Sequence, residues 1–355
     1  MFKIVRKADA SPAQERVMRG AAVVAALAAS ALVLALLGFH PIEVYAKIVE
    51  GSLLSGHRLV STFNKTIPLV VLSLGVAIAF KMKFWNIGAE GQFYMGAFGA
   101  SLAAFSFYWL PAIAMIPLMM VSAFVFGGLL ALIPAVLKSK FSTSETLVTL
   151  MLNYIAIKWI TYLQYGPWKD PQAIGFPKIP KFPDAAVLPE LFGVHIGWVF
   201  ALVLTVLVWV LLSRSKLGYE IAVLGESETT ARYAGMNVTR ITIVAILLSG
   251  GLCGLAGMMQ ASAIEKSLSD QLSGGLGFTA VITTWLAKLS PPAIILVSFL
   301  FAMLLQGGVY LQSALQISST VADILQGVIL FFVLGSEFFL RYKIVRRKGG
   351  EEAKA

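Results

Sequence analysis

From residue 91 to residue 137 the chain runs for 47 residues without a formal charge, and that stretch leaves few folds open. A helix needs roughly 20 apolar residues to cross a bilayer, so the run is long enough to cross twice. Trp109-Leu110-Pro111 divides it, setting an aromatic ring where interfacial rings collect and a helix breaker where a turn is needed. Lipid offers backbone N–H and C=O groups no partners, so spanning segments are helices or closed barrels. Long uncharged runs read as helices. The remainder of the 355 residues agrees: 58% are hydrophobic and 13% charged, against about 25% charged in soluble domains. The expected fold is an all-α integral membrane protein, and no polar stretch reaches the roughly 50 residues of a separate soluble domain.

Several function classes drop out. The net charge of +10 could suggest a nucleic-acid partner, but the basic residues cluster at the ends of apolar segments and in the tails, as the positive-inside bias demands. The surrounding partner is lipid. A lone cysteine, Cys253, lies in an apolar run, so no intrachain disulfide or cysteine metal site is possible. His40, His57 and His195 are far apart and form no HExxH-like pair, so no metal site is expected. Gly-Lys occurs nowhere, which removes a Walker A loop. Any ATP used is hydrolysed on another chain, and no nucleophile–base pair marks this one as an enzyme.

The charge pattern predicts about ten spanning helices. Residues 1–19 form a polar tail and 20–39 a first span; 40–65 is mildly amphipathic and placed on the outer surface. A short span over 66–80 ends at Lys81 and Lys83, the 91–137 run supplies two more, and Ser142-Thr-Ser-Glu145 has the spacing of a capping box for the next. Residues 166–193 hold six prolines, which rules out a helix; this outer loop is either a docking surface or a stiff cover. After a span to about residue 213, an inner loop covers 214–240. Later spans lie over 241–264, in a short stretch ending at Lys288, from Pro291 to about Leu311, and over 319–340, before a basic tail at 341–355. With both termini inside, 20 Lys and Arg fall on inner segments and 8 on outer ones. The membrane domain is thus 20–340.

Residues 84–100, FWNIGAEGQFYMGAFGA, interrupt this pattern with glycines, an Asn, a Glu and a Gln. Gly-broken spans point to a transport pathway; a tight helix connection, with Glu90 at a helix N-terminus, fits the spacing equally. A second break covers 273–277. The stretches 66–164 and 241–340 each span four times from opposite sides, with a break after the first helix, as an inverted repeat would. Asn153, Gln260, Asp323 and Gln326 are polar within or near spans and should face protein or a cavity; for Asn153 interhelical bonding is the simpler account. In the inner loop, Ser227 can cap a short helix over 228–234 and Gly235 can end it in the left-handed region.

FWNIGAEGQFYMGAFGA, ETLVTLMLNYIA, GPWKDP, LGYEIAVLGESETTARYAGMNVTR and LLSGGLCGLAGMMQ resemble, in that order, the permease subunits of bacterial ABC importers of the branched-chain amino acid, ribose and nucleoside class. Within it they are most similar to nucleoside permeases linked to BMP lipoproteins. The resemblance runs from about residue 66 to 332. It departs at Thr283-Thr284-Trp285-Leu286-Ala287-Lys288, where members often carry a more glycine-rich, uncharged run. The resemblance implies a coupling helix at Glu228, Arg232, Tyr233 and Gly235, seated in an ABC ATPase that binds ATP-Mg, with no cofactor on this chain. It also implies that the first break lines the path.

Phe84, Trp85, Asn86, Glu90, Gln92 and Asn153 are the path candidates there, with Phe278 and Thr279 their counterparts after the second break. Further implied partners are a second permease, a paralogue, and a substrate-binding lipoprotein or periplasmic protein. The expected place is the bacterial inner membrane, and the expected cargo nucleosides moved by alternating access. A ribose-type sugar permease and an ion-coupled secondary transporter, using Glu90 or Asp323, are the alternatives.

Overall fold

The computed structural model describes residues 2–6, 12–318, 320–321, 323–325, 327–328, 331–332 and 342–346. The elements in chain order are β1 (Phe2–Arg6), α1 (Pro12–Leu36), α2 (Pro41–Leu53), α3 (Gly56–Lys81), α4 (Ala89–Ser106), α5 (Ala112–Phe141) and α6 (Glu145–Tyr165). After a 3-10 turn at Asp184–Ala186 come the paired β2 (Glu190–Leu191) and β3 (Val194–His195), then α7 (Gly197–Arg214), α8 (Lys216–Glu226), α9 (Glu228–Tyr233) and α10 (Val238–Met259). A π-helical turn, Gln260–Glu265, continues α10; α11 (Leu276–Leu286), α12 (Pro291–Ala314) and β4 (Tyr342–Arg346) follow it. Among the described residues the fold is all-α apart from two short strand pairs.

The chain divides into two compact units, Met1–Leu54 with Leu304–Ala355, and Ser55–Met303. In the first, α1 and α2 meet at 113°, and Leu34, Val44, Ile48, Leu311 and Val321 form its core. Gly51 and Gly307 let helices touch there: a Cβ on Gly51 would collide with the Tyr310 ring, and one on Gly307 with Ile48. The Tyr310 hydroxyl donates to Glu50 Oε1 at 2.8 Å. The similar segments FKIVR and YKIVR pair antiparallel as β1 and β4.

The second unit is built around α3 and α10, whose apolar windows are 83% and 78% buried. They pack on each other, and reciprocally α3 packs on α11 and α10 on α4. Small residues make the close approach possible. A Cβ on Gly254 would meet the Ala123 carbonyl, and one on Gly257 the Phe93 carbonyl, so α10 touches α5 and α4 backbone to backbone. By contrast α5, α6 and α7 leave most of their apolar windows open, with 28%, 28% and 22% buried, as lipid-facing helices should.

One expectation is not confirmed and two need correction. Six helices are long and apolar enough to span, or seven with the bent α1–α2 pair, so the count of ten is not reached among the described residues. The expected last span, 319–340, and Gln326 fall largely or wholly outside them. α3 begins at Gly56 rather than near 66, because Ser55 accepts from the Arg58 N–H at 3.3 Å and caps it there. The capping box at Ser142 does not form. α5 runs through to Phe141, and Ser142 ends it in the left-handed region at φ +52°. Ser144 then becomes the N-cap of α6, and Glu145 pairs with Lys138 at 2.7 Å.

Candidate functional site

The first break spans the turn from the end of α3 to the start of α4. Lys83, at φ +56°, takes the chain out of the helix, and residues 84–88 run non-helically between them. Backbone freed in this way needs partners from side chains, and the motif supplies them. Asn86 Oδ1 accepts from the Gly88 N–H at 3.0 Å and from Gln92 Nε2 at 2.9 Å. Asn86 Nδ2 donates to Gln92 Oε1 at 3.0 Å and to Ser249 Oγ of α10 at 3.2 Å. Asn153 of α6 closes the arrangement: its Oδ1 accepts from the Gly91 N–H at 2.8 Å, and its Nδ2 donates to the Ile87 carbonyl at 2.9 Å. Asn86, Gln92 and Asn153 are each at most 1% exposed.

Glu90, 3% exposed, faces the other way. Its Oε2 accepts from the Gly277 N–H at 2.7 Å. Gly275 precedes α11 at φ +85° with no side-chain cap of its own, so a carboxylate from 187 residues away occupies the place a capping residue would take. Glu90 lies in the first turn of α4 as well. Two helix N-termini thus converge on one carboxyl group, and their dipoles favour its ionised form. Gly277 permits the approach, since a Cβ there would sit 2.5 Å from the Glu90 amide nitrogen.

The aromatic candidates divide. Phe84 is 1% exposed and lies under Lys138, whose Nζ is 4.9 Å from the ring centroid. Trp85 is 45% exposed and Phe278 43%. Trp85 stacks on Trp285, centroids 5.5 Å apart and planes at 22°, and Phe80 tilts against both. Phe278 and Trp285 are seven residues apart on α11, hence on the same helix face. The opposite face is buried through Thr279, Thr283 and Thr284; Ser73 and Thr283 hydroxyls lie 2.6 Å apart, and Thr284 donates to the Ser73 carbonyl at 3.0 Å. The structure therefore places Asn86, Glu90, Gln92, Asn153 and Thr279 inside the protein and leaves Trp85 and Phe278 open. Trp285 was missed by the sequence reading, although its spacing from Phe278 was there to be used.

Of the other polar residues singled out, Gln260 lies in the π-helical turn, 6% exposed, with no partner for its Oε1, and Asp323 is exposed.

The 214–240 loop carries a knob. Ser227 Oγ accepts from the Thr230 N–H at 3.2 Å, starting α9, and Gly235 ends it at φ +74°, both as expected. Glu228 and Arg232 pair at 2.7 Å on its surface, and Tyr233 is 90% exposed. Ala231, fully buried, seats the helix on the bundle.

The family described as "Branched-chain amino acid transport system / permease component" matches residues 58–334. The chain is 31% identical to the glucose ABC transporter permease protein TsgB13 of Haloferax volcanii, over 91% of this chain and 88% of that one. It is 29% identical to the guanosine ABC transporter permease protein NupP of Bacillus subtilis, covering 92% and 96%, and 26% identical to the nucleoside permease protein NupB of Lactococcus lactis, covering 88% of each. A solved metal-chelate type ABC transporter in an inward-facing conformation aligns over 90% of this chain and 99% of its own at 18% identity, with a TM-score of 0.47. With the family matched over most of its length, the chain belongs to the branched-chain amino acid transport system permease components: it is a multi-pass membrane subunit of an ABC importer, and ATP is hydrolysed by a partner ATPase.

Proposed function

We propose that the chain is the permease of a nucleoside importer of the bacterial inner membrane, with both termini and α9 on the cytoplasmic side. It works beside a paralogous second permease, an ATPase seated on α9, and a solute-binding protein at the outer face. The observation that carries the cargo assignment is the pair of open rings, Trp85 and Phe278, with Trp285 half-buried and stacked on Trp85. Stacking on such rings is worth about 1–3 kcal/mol per base, and the flat π faces of nucleoside bases suit it. Two relatives whose names specify guanosine and nucleosides support the same reading. The buried Asn86–Gln92–Asn153 set acts as the frame that holds the break, and the path runs beside it. No cofactor belongs to this chain; ATP-Mg belongs to the ATPase.

A sugar cargo is the second reading, favoured by the glucose permease relative. Uptake of radiolabelled guanosine by cells carrying the whole system separates them. Purine and pyrimidine nucleosides should compete, glucose and ribose should not, and Trp85→Ala should raise KM roughly tenfold while Trp85→Phe stays near wild type. Competition by sugars alone would overturn the nucleoside reading.

A further inference from the structure

The attachments of the two breaks to opposite ends of the bundle are not used by the path described above. At the lysine-bearing end, Gly225, near the end of α8, lies so close to the Lys81 carbonyl that no side chain fits between them, and Glu226 pairs with Lys83 at 4.0 Å. The coupling loop therefore rests on the C-terminus of α3, where the chain leaves helical geometry. A polar cavity of about 720 Å3, bounded by Phe84, Lys138, Glu145 and Arg232, lies beside this contact and gives the loop room to shift.

At the other end, the proline-rich stretch 166–193 is bonded to the segment that leads into the second break. The Phe182 N–H donates to the Lys266 carbonyl at 3.0 Å, and the Ser267 hydroxyl to the Ile179 carbonyl at 3.1 Å. Ser262 Oγ donates to the Ala186 carbonyl and accepts from the Leu188 N–H. Gln164 holds both segments: its Nε2 donates to the Pro177 carbonyl at 3.1 Å, and its Oε1 accepts from the Asp270 N–H at 2.9 Å. From Asp270 the chain reaches α11 within six residues, and there the Gly277 N–H meets Glu90.

Each break is thus anchored to a different end of the bundle, and the two meet at a single carboxylate. We propose that Glu90 is a positioning residue that transmits movement between the outer loop and the ATPase-coupling loop. Docking of a loaded solute-binding protein on 166–193 pulls the 262–273 segment, Gly277 shifts against Glu90, and α4 carries the displacement through the first break to Gly225. This rests on the importer reading above. The Gly277 N–H bond to Glu90 Oε2 at 2.7 Å is buried, and a Cβ on Gly277 would collide with the Glu90 backbone, so a displacement of one break is passed to the other at this contact.

The test uses the intact complex in proteoliposomes, with ATP hydrolysis measured with and without the nucleoside-loaded binding protein. Glu90→Gln should lower the ratio of stimulated to basal rate about fivefold or more. Gln164→Leu, at the outer attachment, should do the same with basal hydrolysis unchanged, and the double variant should fall no further than the stronger single one. A general structural defect would lower both rates together and leave the ratio intact, which would overturn the proposal. If Glu90→Gln does not assemble, Gln164→Leu decides alone: a wild-type ratio overturns the proposal and a lowered one supports it. A wild-type complex that hydrolyses ATP but responds to no binding protein would overturn the importer reading itself.

Discussion

His195 sits at the second position of β3, outside the spans, 2% exposed. Its Nε2 is 3.4 Å from the Asn64 carbonyl, and its Nδ1 has no partner. Burial holds its pKa below the usual imidazole value, because a second proton would charge the ring away from water. A depressed folded-state pKa adds stability that is present above the ordinary value of about 6.5 and is lost as pH falls through the folded one. The melting temperature in detergent should therefore drop between pH 7.5 and 5, and His195→Phe should flatten that part of the slope; equal slopes would refute it.

Gly254 works by lacking a side chain. Gly254→Ala sets a methyl group against the Ala123 carbonyl, and overpacking of this kind costs about 1–3 kcal/mol. A lower melting temperature with unchanged helical circular dichroism is the expected reading.

Among the elements, α9 is the clearest case of sequence dictating form. Ser227 and Gly235 mark its ends because a cap needs a hydroxyl and a left-handed stop needs no Cβ. Gly235→Pro is incompatible with φ +74° and removes the N–H that donates to the Arg232 carbonyl at 3.0 Å. With α9 as the ATPase contact, this variant should insert in the membrane yet lose ATP-driven uptake; wild-type uptake would show that another element bears the ATPase. The Ser142 spacing misled for an equally physical reason: α5 was still in progress at that point, and Ser142 ends it at φ +52°, in the left-handed region rather than the extended geometry of an N-cap. The first ten residues of α3 were hidden because their mixed polarity carries no spanning signal. The break at 84–88 was legible because glycines and amides within apolar sequence have few other uses. The Glu90 partner was not, since nothing local announces an amide so far along the chain.

At the scale of the molecule, the proposed orientation puts Tyr233 and Phe176, 90% and 83% exposed, on opposite sides of the membrane. The native thiol Cys253 is fully buried and should stay silent. A membrane-impermeant maleimide should label Phe176→Cys in intact spheroplasts and Tyr233→Cys only after lysis; the reverse pattern would invert the topology and remove the coupling assignment with it.

The backbone-to-backbone contacts that α10 makes with α5 at Gly254 and with α4 at Gly257 have a consequence for how the transporter can open. Surfaces this closely meshed cannot roll or slide past one another without atoms overlapping, so the three helices must travel as a single block. Whatever gap admits the cargo has to be made by hinging at the non-helical joints on that block's margin, and a lipid or drug that stiffened those joints would stall transport without touching either the cargo or the nucleotide.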